Sequence, residues 1–196
     1  MAKEHPELYK QIEEVRTKLA DKIAAGEVLE VPVAQYVAFV DEQDQKVLER
    51  TWWVTKSRNS FYAFAKINGK DVSMHRFIYN LSDPKVVIDH KDFCGLNNTR
   101  ENARVATVGQ NNANRRKSLK TKMSSPYKGV SWHKNIKKRP WQAYIRISQN
   151  GDTRRRVFLG YFATQEEAAL AYNRAASQYF GEYAHLNQVA RPDINP

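Results

Sequence analysis

The sequence predicts an α+β protein in two parts: a helix with short β-hairpins, then a small three-stranded antiparallel sheet packed on one helix. Three features carry that expectation. Apolar residues recur at three- and four-residue steps near both ends of the chain, which marks amphipathic helices. Between them lie short runs rich in Val, Ile, Tyr, Phe and Trp, broken by turn residues, which mark strands. The charge also changes abruptly along the chain. Residues 1–112 carry 16 Lys/Arg and 16 Asp/Glu, whereas residues 113–160 carry 14 Lys/Arg against the single acid Asp152. Residues 161–196 hold 2 basic and 4 acidic side chains, so the net charge of +11 is concentrated in one quarter of the chain.

Taken in order, residues 6–25 form the first helix. Pro6 suits a first helical turn, and Leu8, Ile12, Val15, Leu19 and Ile23 share one face. Gly26 ends it, and ValProVal at 31–33 cannot continue it. This helix is expected to dock or to dimerise rather than to carry chemistry, and residues 1–35 form a helix plus connector. Strands follow at 36–40, 52–55, 61–67 and 72–75, with turns at SerArgAsn 57–59 and AsnGly 68–69; the latter pair is a strong hairpin signal. A short helix begins near His75 and stops before Pro84. The strand VVID, 86–89, then delivers Asp89 and His90 at its end. The stretch VDEQDQKVLERTWW, 40–53, is unlike random sequence but suggests no chemistry by itself.

Residues 117–125 read as a basic linker. Residues 126–187 form a separate unit of three strands (YKGVSW, WQAYIRIS, RRVFLGYF) and a helix. Thr164 and Glu167 make a capping-box pattern at its start, and Ala168, Tyr172, Ala175 and Tyr179 share one of its faces. Residues 188–196 are a tail.

Composition bounds the function. Apolar residues make up 41% of the chain, enough for packed cores. A single cysteine, Cys94, rules out a disulfide framework and a Cys-rich zinc site, so no structural zinc is expected. The first ten residues, MAKEHPELYK, lack the apolar run of a signal peptide, and no apolar stretch is long enough to span a membrane. A soluble protein of the cell interior, without membrane contact, is the expectation. The concentrated basic stripe suits the phosphate backbone of nucleic acid, where released counterions favour binding. A solvated surface and an anionic membrane surface are the competing readings.

The segment 86–114 holds the candidate chemistry. Asn102 follows His90 by twelve residues and Asn111 follows it by twenty-one. On an extended chain the side chains of Asp89 and His90 diverge, so one can hold a metal while the other faces substrate. Carboxylate and amide oxygens are hard ligands, suited to magnesium or manganese. A neutral imidazole can take a proton from water. These parts suffice for metal-assisted phosphodiester hydrolysis, although an isolated Asp-His pair is also a common structural feature. His75 competes with His90 for the role of base.

MHRFIY (74–79), IDH (88–90), LNNTRENAR (96–104) and QNNAN (110–114) resemble the His-Asn-His (HNH) endonucleases of phages and mobile introns, over about residues 36–116. The resemblance implies a ββα-metal finger of two strands and a helix. It implies His90 as general base, Asp89 and Asn111 as ligands of Mg2+ or Mn2+, and Asn102 as the residue that ties the finger loop and holds the histidine. Asn111 stands where the family usually has histidine. Asn97-Asn98-Thr99 replaces an Asp-Asn-Arg segment, losing a charge pair that would tighten the loop. Ala103 stands where leucine is common.

In the basic module, strand alternation puts Gln142, Tyr144, Arg146 and Ser148 on one face, and Trp141, Ala143, Ile145 and Ile147 on the other. Arg154, Arg156 and Phe158 alternate likewise. Arginines and aromatics on a free face favour DNA. YKGVSW, RPWQAYIRI, RVFLGYF, TQEEAALAYNRAA and FGEYAHLN resemble the DNA-binding domain of plant ethylene-response factors (Apetala/ERF type). The resemblance implies Lys128, Ser131, His133, Tyr144, Arg146, Arg156 and Phe158 as the DNA-facing residues; Arg154 and the basic residues Arg115, Arg116 and Lys117 complete the expected DNA contacts. The pairing implies a homing-type endonuclease acting on double-stranded DNA, as a monomer or a homodimer, in the cytoplasm (a bacterial host's, if phage-encoded). The alternative is a DNA-binding regulator whose nuclease half has decayed.

Overall fold

The computed structural model of the chain describes residues 5–57, 60–117, 124–149 and 153–189. Most of the expected linker, part of the 57–59 turn and most of the tail lie outside the described residues. The chain divides into two compact units, Met1–Ala106 and Thr107–Pro196. Both are small mixtures of helix and antiparallel sheet, as an α+β sequence requires.

The first unit opens with α1 (Pro6–Ala24), entered through Pro6. Its buried face, Leu8, Ile12, Val15 and Leu19, packs into one core with Val31, Val33, Tyr36, Phe39, Val40 and Val47. The helix therefore docks on its own unit. Residues expected as a connector form β1 (Val28–Val33), paired antiparallel with β2 (Tyr36–Asp41). Val28, Val31 and Val33 are buried, and Pro32 is tolerated because β1 lies at the edge of a two-stranded sheet. The stretch after β2 forms 3₁₀ turns over Glu42–Glu49, closed by Trp52, whose Nε1–H donates to the Val47 carbonyl at 2.7 Å.

A three-stranded meander follows: β3 (Trp53–Ser57), β4 (Ser60–Ile67) and β5 (Lys70–Ser73). The AsnGly turn between β4 and β5 has positive φ at both residues, +49° at Asn68 and +76° at Gly69. That is the geometry two-residue hairpins need, and Asn-Gly supplies it at low cost. The short helix α2 (Met74–Ile78) begins at once, so His75 lies in a helix rather than at a strand end. Strands β6 (Val87–His90) and β7 (Ala103–Ala106) then pair antiparallel around a loop, residues 91–102.

The second unit begins with α3 (Val108–Asn114), directly after β7 in the chain, giving the strand–strand–helix order. Thr107 and Gln110 cap it reciprocally. The sheet is β8 (Val130–Trp132), β9 (Trp141–Gln149) and β10 (Thr153–Phe162), in the order β10-β9-β8. Helix α4 (Gln165–Phe180) starts at the Thr164–Glu167 capping box. Val130, Ala143, Ile145 and Ile147 are buried towards Ala168, Ala169, Tyr172, Ala175 and Ala176. Alanines let the helix lie close to the sheet. Gly129 shows how close: at φ +74°, a Cβ there would lie 2.1 Å from the Tyr172 ring and 2.5 Å from the Tyr144 carbonyl.

Candidate active site

In the β6–β7 hairpin, Asp89 stands directly opposite Arg104, and His90 opposite Ala103. Adjacent strand residues point to opposite faces. Asp89, 2% exposed, accepts from Arg104 Nε at 2.9 Å and from Nη2 at 2.8 Å, both at Oδ2. The sequence reading missed Arg104, although antiparallel pairing of the two strands around the loop would have put it there.

His90 is buried, and its Nε2 lies 3.1 Å from Asn98 Oδ1. The rings of His75 and Tyr62 lie 5.5 and 5.9 Å from its own. Burial pushes the His90 imidazole below its ordinary pKa, opposed by the Asn98 hydrogen bond. Burial also lowers His75, to about 3, with smaller contributions from the neighbouring His90 and Arg76. Its Nε2 sits 3.0 Å from Ser73 Oγ. Two neutral imidazoles thus share an aromatic pocket, and the one at the strand end is His90.

The loop between the strands is stitched internally. Asn102 Oδ1 accepts from the Asp92 amide at 3.0 Å, and its Nδ2 donates to the Asn97 carbonyl at 2.7 Å. Asn97 Nδ2 donates to Asp92 Oδ2 at 2.8 Å, and Thr99 Oγ1 to Asn97 Oδ1 at 2.9 Å. Asn102 ties the loop, while the side chain on the histidine ring is Asn98. The lost charge pair does not leave this loop untethered. Arg100 reaches back to the 3₁₀ segment and makes a two-pronged pair with Asp44, Nε to Oδ2 at 2.9 Å and Nη2 to Oδ1 at 2.7 Å. Its amide donates to Asp41 Oδ2 at 2.7 Å. Phe39 in β2 donates to the Leu96 carbonyl and accepts from the Asn98 amide, both at 2.8 Å. Here the stretch VDEQDQKVLERTWW finds its role: it holds the loop.

Asn111 lies in α3 of the second unit. In the same unit, two expected DNA contacts turn inward. Lys128 Nζ donates to the carbonyls of Ala113 and Arg115 at 2.6 and 2.7 Å, at the C-terminal end of α3. Helix ends leave carbonyls unpaired, and a cation there satisfies them. Burial pushes this ammonium down to about 8. Lys117 Nζ is likewise enclosed by the carbonyls of Ser125, Tyr127 and Val130 at 2.8, 2.6 and 3.3 Å. Lys117 thus spends all three of its donors on backbone oxygens and Lys128 two of its three, bonds that serve the fold.

The outer sheet face is otherwise assembled as alternation requires. Arg156 pairs across the strands with Arg146, and Phe158 with Tyr144. Arg156 stacks on the Tyr144 ring at 3.9 Å, and Arg146 lies 5.5 Å from it. Gln142 Oε1 accepts from Arg156 Nη2 at 2.7 Å and sits 2.9 Å from His133 Nε2. Phe158 is 54% exposed, with Tyr161 5.0 Å away between ring centroids. Arg115 and Arg116 are exposed; the side chain of Arg154 lies outside the described residues. The arginines are thus oriented by an aromatic ring and an amide before any ligand arrives.

A histidine–carboxylate hairpin in one unit and an arginine-bearing sheet in the other define the class: a nuclease-type centre joined to a DNA-binding module. The AP2 domain family matches residues 125–182. An uncharacterized HNH endonuclease of Acanthamoeba polyphaga mimivirus is 34% identical over 145 residues, 70% of this chain and 67% of that protein. An ethylene-responsive transcription factor of Arabidopsis thaliana is 33% identical over 114 residues, 57% of this chain and 64% of that protein. A dehydration-responsive element-binding protein of the same plant is 52% identical over 52 residues, 24% of this chain and 21% of that protein. The chain thus spans less than two thirds of the length of these plant relatives. No solved structure matches it significantly. The chain belongs to the HNH endonuclease family and carries an AP2 domain. No helix among the described residues is long and apolar enough to cross a membrane.

Proposed function

We propose that the chain is a homing-type DNA endonuclease that hydrolyses phosphodiester bonds with His90 as general base and one Mg2+ or Mn2+ ion. In this reading residues 36–116 form the nuclease domain and residues 126–187 choose the site on double-stranded DNA, joined by the linker 117–125. The observation that carries it is His90: a buried strand-end imidazole, favoured in its neutral form by that burial, next in the chain to Asp89. A neutral imidazole is the form that accepts a proton.

Asp89 would offer a carboxylate, whose charge is supported by Arg104, and Asn111 is the second donor that the family resemblance implies; such hard oxygens suit magnesium and manganese. When bound, the ion would stabilise charge on the leaving 3′-oxygen. His90 takes the proton from the attacking water. Asn102 keeps the loop closed around that histidine. The exposed face of β9 and β10 grips the duplex through Arg146 and Arg156, with Tyr144, His133 and Phe158 beside them, and Arg115, Arg116 and Arg154 add phosphate contacts. A single hydrolytic centre predicts nicking, with double-strand cuts requiring a second event.

The test is cleavage of supercoiled plasmid in magnesium or manganese, with and without EDTA, by the wild type and by His90→Ala. The expected result is metal-dependent nicking, abolished in the variant while DNA binding persists. A wild type that never nicks would leave a DNA-binding protein with a decayed nuclease half. A variant that nicks normally would move the base to another residue.

A further inference from the structure

We propose that Asn98 sets the tautomer of His90, keeping the proton on Nε2 and the lone pair on Nδ1, so that Nδ1 is the atom that accepts the proton of the attacking water. This inference rests on the reading of His90 as the base, and makes Asn98 its positioning residue. Asn98 is 0% exposed. Its Nδ2 faces the Leu96 carbonyl at 3.5 Å and Met74 Sδ at 3.4 Å, and its Oδ1 faces His90 Nε2 at 3.1 Å. Reversing the amide would set its oxygen against the Leu96 carbonyl, two acceptors with no hydrogen between them. The carbonyl end therefore points at the histidine. A neutral imidazole carries a single N–H, and the nitrogen facing a carbonyl oxygen must be the one that holds it.

The orientation of Asn98 is itself fixed from outside the loop. Its amide donates to the Phe39 carbonyl and the Leu96 carbonyl accepts from the Phe39 amide, so β2 anchors the backbone on both sides of Asn97. The rings of Tyr62 and His75 flank His90 and oppose rotation of its imidazole. In the hydrolytic step the water O–H bond breaks as Nδ1–H forms. The water oxygen then bonds to phosphorus while the bond to the 3′-oxygen breaks, and the 3′-oxygen takes a proton from solvent. The Nε2–H to Asn98 contact persists throughout, and strengthens when the ring becomes cationic because a charged donor makes the stronger bond.

The experiment is long-range 1H–15N correlation of the full chain with 15N-labelled histidine at neutral pH. His90 should show a protonated Nε2 and an unprotonated Nδ1; the opposite pattern overturns the proposal whatever the cleavage assay reports. Asn98→Leu should abolish that tautomer preference and lower kcat by about 100-fold, at the low end of what a positioned base contributes, with KM for DNA unchanged. Asn98→Asp, which keeps an oxygen facing Nε2, should retain the tautomer. A tautomer unchanged in a folded Asn98→Leu protein would also overturn the assignment; if that variant fails to fold, the wild-type spectrum decides. Loss of cutting in His90→Ala tests the base separately, so the two ideas fail in different measurements.

Discussion

Replacing Asp44 by asparagine breaks the two-pronged pair that holds Arg100. Asp44 is 9% exposed, whereas the Arg100 side chain is 42% exposed, so the pair is neither fully buried nor free in solvent. Two hydrogen bonds to a charged group would contribute about 1.5–3 kcal/mol each if buried. Solvent screening on the arginine side lowers that sharply, since exposed pairs contribute about 0–1 kcal/mol. Asparagine keeps one acceptor oxygen, so the expected loss is about 1–2 kcal/mol in the first unit. A double-mutant cycle with Asp44→Ala and Arg100→Ala should return a coupling of about 1 kcal/mol, read by urea unfolding with tryptophan fluorescence. Trp52 is bonded to the same 3₁₀ segment and should report its loosening. Because Arg100 lies in the loop that carries Asn98 and Asn102, cleavage should fall alongside stability, with DNA affinity kept. Zero coupling, or full cleavage by a destabilised Asp44→Asn protein, would refute the idea that the segment from 40 to 53 exists to hold the loop.

Lys128→Met keeps the side-chain stem but strands the carbonyls of Ala113 and Arg115; the second unit should lose about 1–3 kcal/mol. The salt dependence of DNA binding should be unchanged in that variant, whereas loss of a phosphate contact would lower the slope by about 1. Arg146→Ala and Arg156→Ala should each weaken binding and blur site choice without touching the chemistry, measured by binding to a randomised duplex pool; retained site preference in both would count against the sheet as the reading face. His75 has a folded-state pKa near 3, below its unfolded value of about 6.5. Between these values the unfolded chain binds a proton that the native one does not, so stability is present above pH ~6.5 and is lost as pH falls. The slope should be about 1.4 kcal/mol per pH unit from this group, followed by denaturant titration from pH 7 downward, and His75→Gln should flatten it.

The parts of the fold that local physics dictates were legible in the sequence. The apolar spacing of α1, the Asn68-Gly69 turn and the Thr164–Glu167 cap each declare themselves within a few residues. The alternation on β9 likewise separates Ala143, Ile145 and Ile147 from Tyr144 and Arg146. What stayed hidden was decided by partners far along the chain. Pro32 argues against a strand until β2 is available to pair with it. Asp44 and Arg100 lie 56 positions apart, and no local pattern links them. Lys128 and Lys117 looked like part of a phosphate-binding stripe because charge is visible in sequence, whereas the carbonyls that capture them are not. Within the candidate site, Asp89 and His90 stand out in the sequence by side-chain type and spacing alone. The residues that position them, Arg104 and Asn98, appear only once strand register and loop path are known.

The bond between Phe39 and the loop bears on how such nuclease hairpins can be borrowed. Because Leu96 and Asn98 complete their backbone hydrogen bonds on β2, residues 87–106 are not a portable cassette. Grafted alone onto another scaffold, the segment would carry its histidine and aspartate but lose the strand that aims Asn98. A functional transplant would have to bring the β1–β2 hairpin and the 3₁₀ segment along, so the smallest heritable unit of this centre begins well upstream of its first reactive side chain.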